Sequence, residues 1–200
     1  MKSNVCSLVQ GQAIDAVMLT EVKKCAAYNE LGERESLRLR LLAEELIGML
    51  PNMSDGYEGE FWIENNGPEY ELHASLAIDK VTFDMDEKFL SISKSGKNAA
   101  AKGIVGKIRS VMFRMFFSEE AAMLSDYAVM NFGMMEYDSG YAASWSLNQY
   151  QNTIAGAAAS KEKEEAWDEL EKSVIAKIAD DVIVGIRGRK VDIIVKKTFS

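Results

Sequence analysis

Glu69-Tyr70-Glu71-Leu72-His73-Ala74-Ser75-Leu76-Ala77-Ile78-Asp79 is the stretch that decides the fold. Tyr70, Leu72, Ala74, Leu76 and Ile78 alternate with Glu71, His73 and Ser75. Successive side chains of a strand point to opposite faces, so a period of two predicts one face in a core and one in water. That is the pattern of an antiparallel sheet covered by helices on one side. Just upstream, Tyr57 to Glu64 reads as the partner strand, and Asn66-Gly67 between them is a hairpin signal. The chain closes with a second hairpin. Its Val182, Val184 and Ile186 are expected to face Val191, Ile193 and Val195 across Arg187-Gly188-Arg189.

Helices account for most of the remainder. Val5 to Gln10 reads as a short strand. Ala13 to Tyr28 follows as a helix with Ile14, Val17, Met18, Val22, Cys25 and Ala26 at helical spacing, broken by Asn29 and Gly32. Ser36 is the expected N-cap of a second helix that runs through Leu50 and stops at Pro51. Its apolar stripe is Leu39, Leu42, Leu46, Met49 and Leu50. A short strand is expected near Phe89 to Ser93. A helix then runs to about Phe117 with Ile104, Ile108 and Met112 on its buried side. Residues 118–180 read as helical with breaks. Ser118 caps a helix to Met130, and Asn131 to Tyr141 forms a loop. Its Met134 and Met135, with the methionines at 112, 115, 123 and 130, read as core filler, the alternative for the loop pair being an exposed partner surface. Ala143, Leu147, Tyr150 and Ile154 share a further helix, and Lys161 to Ala179 is one amphipathic helix carrying Trp167. The expectation is one α/β (α+β) domain over 1–200, a two-layer sandwich of a mixed, largely antiparallel sheet and helices. Its core spans about 1–117 and 181–200, with a helical insertion at about 118–180.

Composition narrows the function classes. Hydrophobic residues make up 48% of the 200, enough for a generous core and too many for a disordered chain. A net charge of −8 repels phosphate backbones, so nucleic acid is not the expected partner. No apolar run approaches the roughly 20 residues of a membrane helix, and the N-terminus lacks a signal-peptide core. Cys6 and Cys25 have no metal-ligand spacing, which predicts buried, reduced thiols in a cytoplasmic protein and no metal site. His73, the single histidine, falls on the polar side of its strand and reads as a surface residue.

Two features bear on chemistry. At about 100° per residue, Glu45 falls on the border of the second helix's apolar stripe, while Glu44 points to solvent. Of the two, Glu45 is the carboxylate that can point into a cleft, where burial would raise its pKa toward general-base duty; by residue type alone it reads instead as a helix-flank glutamate with a lysine or arginine partner. The second feature is Ser95-Gly96-Lys97-Asn98, continuing to Lys102, Gly103 and Gly106. Glycines let a backbone approach a phosphate, a helix N-terminus offers free N–H groups, and Lys97 and Lys102 can neutralise an anion. The spacing is not that of a P-loop. The same residues also serve as an ordinary helix cap and close packing.

The run Leu37 to Leu50, with Glu44-Glu45-Leu46 at its centre, resembles the glutamate-asparagine helix of the GHKL family, whose ATP-binding fold is called the Bergerat fold. The order of elements is similar too: helix, hairpin, glycine-rich segment with its helix, closing hairpin. The resemblance implies that Glu45 is the catalytic glutamate. It implies that Asp79, Gly96, Lys97, Asn98, Lys102, Gly103 and Gly106 border a site for ATP or ADP. Met49 stands where the family's magnesium-binding asparagine would be, and a thioether is a poor ligand for a hard cation, so Mg²⁺ is not expected. The glycines that should follow Asp79 are replaced by Lys80-Val81-Thr82. The implied function is a GHKL-like regulatory domain with weakened or lost ATP binding, an anti-sigma-like switch rather than an enzyme, with a protein partner and a homodimer in view. The alternative is a protein-interaction module that docks through the helical insertion, with Trp145 and Trp167 at the surface.

Overall fold

The computed structural model describes residues 1–9, 15–52, 57–77, 108, 134–135, 143–187 and 190–200. Among the described residues, seven strands form one sheet: β1 Cys6–Val9, β2 Glu58–Asn66, β3 Glu69–Ala77, β4 Met134–Met135, β5 Ala143–Ser146, β6 Asp181–Arg187 and β7 Lys190–Thr198. Their order is β1-β2-β3-β7-β6-β5-β4, and every neighbouring pair is antiparallel. Helices α1 Asp15–Tyr28, α2 Glu33–Met49, α3 Leu147–Gly156, α4 Lys161–Lys172 and α5 Val174–Ile178 form the second layer. The expected α+β sandwich is what the chain builds.

The alternation of β3 holds through Leu76, and it propagates sideways. Register places Phe61 opposite Ala74 and Ile63 opposite Leu72. Leu72, Ala74 and Leu76 face Val195, Ile193 and Val191. Val182, Val184 and Ile186 continue those rows, as the closing-hairpin pattern predicts. All of these are buried together with Met18, Val22, Cys25, Leu39, Leu42 and Leu46 of the helices. Burying one such aliphatic side chain contributes about 1.5–3 kcal/mol, so these rows hold the two layers together. α1 packs on α2 and reaches β2, α2 crosses β7 and meets α5, and α3 lies against β5 and β6. Ile108, on the expected buried stripe, is helical and fully buried.

Several local expectations shift. The hairpin loop is Gly67-Pro68 rather than Asn66-Gly67, because Asn66 pairs with Glu69. Pro68 has no N–H to give to a ladder, so it goes into the loop, and Gly67 takes the positive φ of 59° that precedes it. Helix α2 starts at Glu33 behind Gly32, not behind Ser36. Glu35 reaches back to accept the Gly32 N–H at 3.0 Å, and Ser36 is already inside the first turn. The expected single helix at 161–179 is two, split at Ser173, whose hydroxyl caps α5 by accepting the Ala176 N–H at 3.2 Å.

The stretch expected to be a helical insertion also contributes strands β4 and β5. Ala143 begins β5 instead of lying on a helix. A four-residue strand carries no readable period, and pairing with β6 supplies what its sequence lacks. Trp145, expected at a docking surface, is 1% exposed and packs on Tyr150 with ring centroids 6.0 Å apart. The strand expected at Phe89–Ser93, most of the helix to Phe117 and the helix to Met130 lie outside the described residues. Met134 and Met135, expected in a loop, form β4.

Gly59 marks a close approach of β2 to β3. A Cβ there would lie 2.2 Å from the carbonyl oxygen of Ser75. Gly59→Ala should therefore destabilise the fold by about 1–3 kcal/mol, the range for overpacked sites. A urea unfolding midpoint lowered at unchanged slope checks this, and an unchanged midpoint refutes the tight approach.

Candidate functional site

Helix α2 carries the first candidate. Leu39, Leu42, Ala43, Leu46 and Met49 recur at helical spacing and are buried, which fixes the rotation of the helix. Glu44 lies off that stripe and takes the Arg40 Nε–H at 2.8 Å across one turn. Glu45 sits at the stripe's edge, half-buried, as its helical phase predicts. Among the described residues it has no ion-pair or hydrogen-bond partner. Met49 is 3% exposed and belongs to the apolar core. The helix thus brings Glu45 to a margin and seals Met49 among aliphatic side chains. Asp79, Gly96, Lys97, Asn98, Lys102, Gly103 and Gly106 lie outside the described residues.

A second candidate, which sequence reasoning missed, stands on the sheet face opposite the core. Register sets Trp62 of β2 beside His73 of β3 and His73 beside Ile194 of β7. The Trp62 and His73 rings stack at 4.8 Å with an interplanar angle of 2°. The Lys2 ammonium lies 4.3 Å from the Trp62 ring centre, within cation–π range. Carboxylates frame the stack. The Trp62 indole N–H donates to Glu64 Oε1 at 2.7 Å, and Lys2 pairs with the same oxygen at 3.2 Å. Lys196 pairs with Glu71 at 3.0 Å. His73 Nε2 is 3.2 Å from Glu71 Oε2 but out of line for a hydrogen bond.

These contacts set the electrostatics. The Trp62 hydrogen bond is the main cause holding the Glu64 carboxyl below its usual range, with Lys2 adding to it. Burial pushes the His73 pKa below its ordinary 6.5, against the pull of Glu71 and Glu64. His73 is thus not the surface residue that its strand position suggests, since its side chain is 13% exposed. The signal was present in the sequence as the alternation of Trp62 and Glu64 with the apolar Phe61 and Ile63, but only the register shows which residue each one meets.

The thiols are buried, and two further acids, Glu21 and Asp181, tie elements together. Cys6 and Cys25 are free and buried, as expected, and burial raises the pKa of both. A thiol held protonated is a weak nucleophile. Glu21, nearly buried, accepts from Asn4 at 3.0 Å and from Lys24 at 2.7 Å, tying the first residues to α1. Asp181 accepts from the Ser146 hydroxyl at 2.9 Å and from the Asn148 N–H at 3.0 Å, which caps α3. Among the described residues, no group of three or more His, Cys, Asp or Glu is placed to hold a metal ion, and no helix is long and apolar enough to cross a membrane.

Fold and site define an antiparallel α+β sandwich whose outer sheet face carries a stacked Trp62–His73 pair framed by carboxylate–lysine pairs. Compared with protein-family models, curated proteins and solved structures, the chain matches none.

The His73 environment gives a pH dependence. A histidine whose folded pKa is depressed binds fewer protons in the native state than in the unfolded chain. Its contribution is whole above pH 6.5 and is lost as pH falls toward the lower native value. Within that window stability should drop by up to about 1.4 kcal/mol per pH unit. Denaturant titrations of the wild type and His73→Gln at a series of pH values test it. The variant should show a flatter profile below pH 6.5. Parallel profiles would reject the assignment.

Proposed function

We propose that this chain is a regulatory, non-catalytic domain on a GHKL-like frame, one that has given up magnesium-dependent nucleotide binding and acts by binding a protein partner. The burial of Met49 carries the reading. The position that the resemblance assigns to a metal ligand is packed into the apolar core, 3% exposed. A hydrated dication needs oxygen ligands and room for water, and neither suits a thioether among leucines. Glu45, half-buried at the edge of the same helix, then has no bound metal–phosphate group to act on.

Val17 and Tyr28, the latter 76% exposed, lie about three turns apart on one side of α1 with the Glu21–Lys24 ion pair between them, so they form no continuous apolar patch. The protein partner is therefore what the resemblance implies, and the acidic chain favours it over a nucleic acid.

The experiment is thermal unfolding with ATP or ADP, with and without Mg²⁺. A ligand that binds only the native state stabilises it by about 2.7 kcal/mol at a hundredfold excess over Kd. No Mg²⁺-dependent stabilisation is expected, and Glu45→Ala should behave as the wild type does. A saturable shift that needs Mg²⁺ and disappears in Glu45→Ala would overturn the proposal and restore a working nucleotide site.

A further inference from the structure

We propose that the outer face of the sheet, over β2, β3 and β7, docks an arginine-bearing, otherwise apolar segment of a protein partner, with the guanidinium seated above Ser75 between Glu60 and Asp192. The inference rests on the reading of the chain as a partner-binding domain, and it names the surface used and the chemistry of the partner.

Register assembles the seat. Glu60 stands opposite Ser75, and Ser75 opposite Asp192. The three alternate with Phe61, Ala74 and Ile193 of the core, so they form one row on the face turned away from it. Strand spacing sets the two acidic residues about 10 Å apart across Ser75. The serine is the small member, so the row stands high at both ends and low in the middle. A guanidinium is flat, carries five N–H donors in a fixed fork and spans such a gap, donating to both carboxylates and to the serine oxygen. An ammonium is a point charge that serves one carboxylate at a time.

The seat is open and uncommitted. Glu60 is exposed, and Ser75 and Asp192 are part-exposed. Among the described residues, none of the three makes a side-chain hydrogen bond or an ion pair. The other acids of this face differ. Glu64 is matched by Lys2 and Glu71 by Lys196, and both pairs lie beyond the Trp62–His73 row. Lys190, with Arg187 opposite it in register, stands one row away on the other side. It is exposed and pairs with neither Glu60 nor Asp192. The two carboxylates at the seat are therefore the charges on this face left for an incoming cation, and they repel an anion.

The adjacent row sets the rest of the segment. Trp62, His73 and Ile194 follow one another across the three strands, all part-exposed. The stacked rings and the isoleucine give an apolar floor for the aliphatic stem of the arginine and for apolar residues beside it. The Lys2 ammonium, 4.3 Å from the Trp62 ring centre, disfavours a second cation there. The segment is thus apolar beyond its arginine.

The probe is the peptide acetyl-Leu-Arg-Leu-amide, titrated into the ¹⁵N-labelled full chain at physiological salt and followed by NMR. One control carries citrulline for arginine, which keeps the shape and loses the charge. The other carries lysine, which keeps the charge and loses the fork. Saturable shifts are expected at the Ser75 and Asp192 amides and at the Trp62 indole N–H, with none from the citrulline peptide and about threefold or more weaker binding of the lysine peptide. Glu60→Gln and Asp192→Asn keep size and remove charge, and each should weaken arginine binding about threefold or more. Glu60 is exposed, so its variant decides alone if Asp192→Asn fails to fold. No saturable shift at millimolar peptide, equal binding of the citrulline peptide, or wild-type affinity in Glu60→Gln would each overturn the proposal. Shifts of the same amides on concentrating the protein without peptide would assign the face to a second copy and overturn it too. These titrations involve no nucleotide, so they can fail while the reading of the domain stands, and the Mg²⁺ experiment decides that reading separately.

Discussion

The pairing of β3 with β7 is the constraint on which the rest depends. Nine residues of each strand align antiparallel, from Glu69 with Thr198 to Ala77 with Lys190. The two hairpins are local and need only their turns, whereas this pairing joins segments from opposite halves of the chain. It carries the loop-closure entropy of the whole intervening stretch. The return is the row structure of the core. Leu72 on Val195, Ala74 on Ile193 and Leu76 on Val191 fix which face of both hairpins meets the helices. A slip by one residue would turn all these side chains into water, so the hydrophobic pattern enforces the register.

From that register follow both faces of the sheet. On the covered face, α2 lays Leu39, Leu42, Leu46 and Met49 into the core, which leaves Glu45 at its margin and Glu35 at its far end. On the outer face, the same alternation lines up Trp62, His73 and Ile194 between carboxylates and lysines. The stack there is a compact charge network. Glu64 and Glu71 are matched by Lys2 and Lys196, while burial pushes the pKa of the histidine between them down against the pull of both carboxylates. Exposed ion pairs contribute little singly, so the stacking of the rings gives the cluster its definition.

The candidate sites differ in how far the sequence reveals them. Glu45 is legible because helical phase is a one-dimensional property, and the structure places it at the edge of the apolar stripe as the phase requires. The buried role of Met49 is legible for the same reason. The Trp62–His73 stack is not, because it joins two strands whose relative register depends on where Pro68 falls in the loop.

The sequence by itself determined the period-two strands, the buried stripe of α2, the partner rows of the closing hairpin and the acidic character of the chain. Each of these follows from side-chain spacing along a single element or from composition. Only the tertiary structure decided that Ala143–Ser146 is a strand, that Trp145 is core and that His73 is stacked and shielded. The physical reason is common to all three. A short strand paired on both sides, a buried indole and a shielded ring are defined by neighbours distant in sequence, and one-dimensional periodicity carries no record of what those neighbours are.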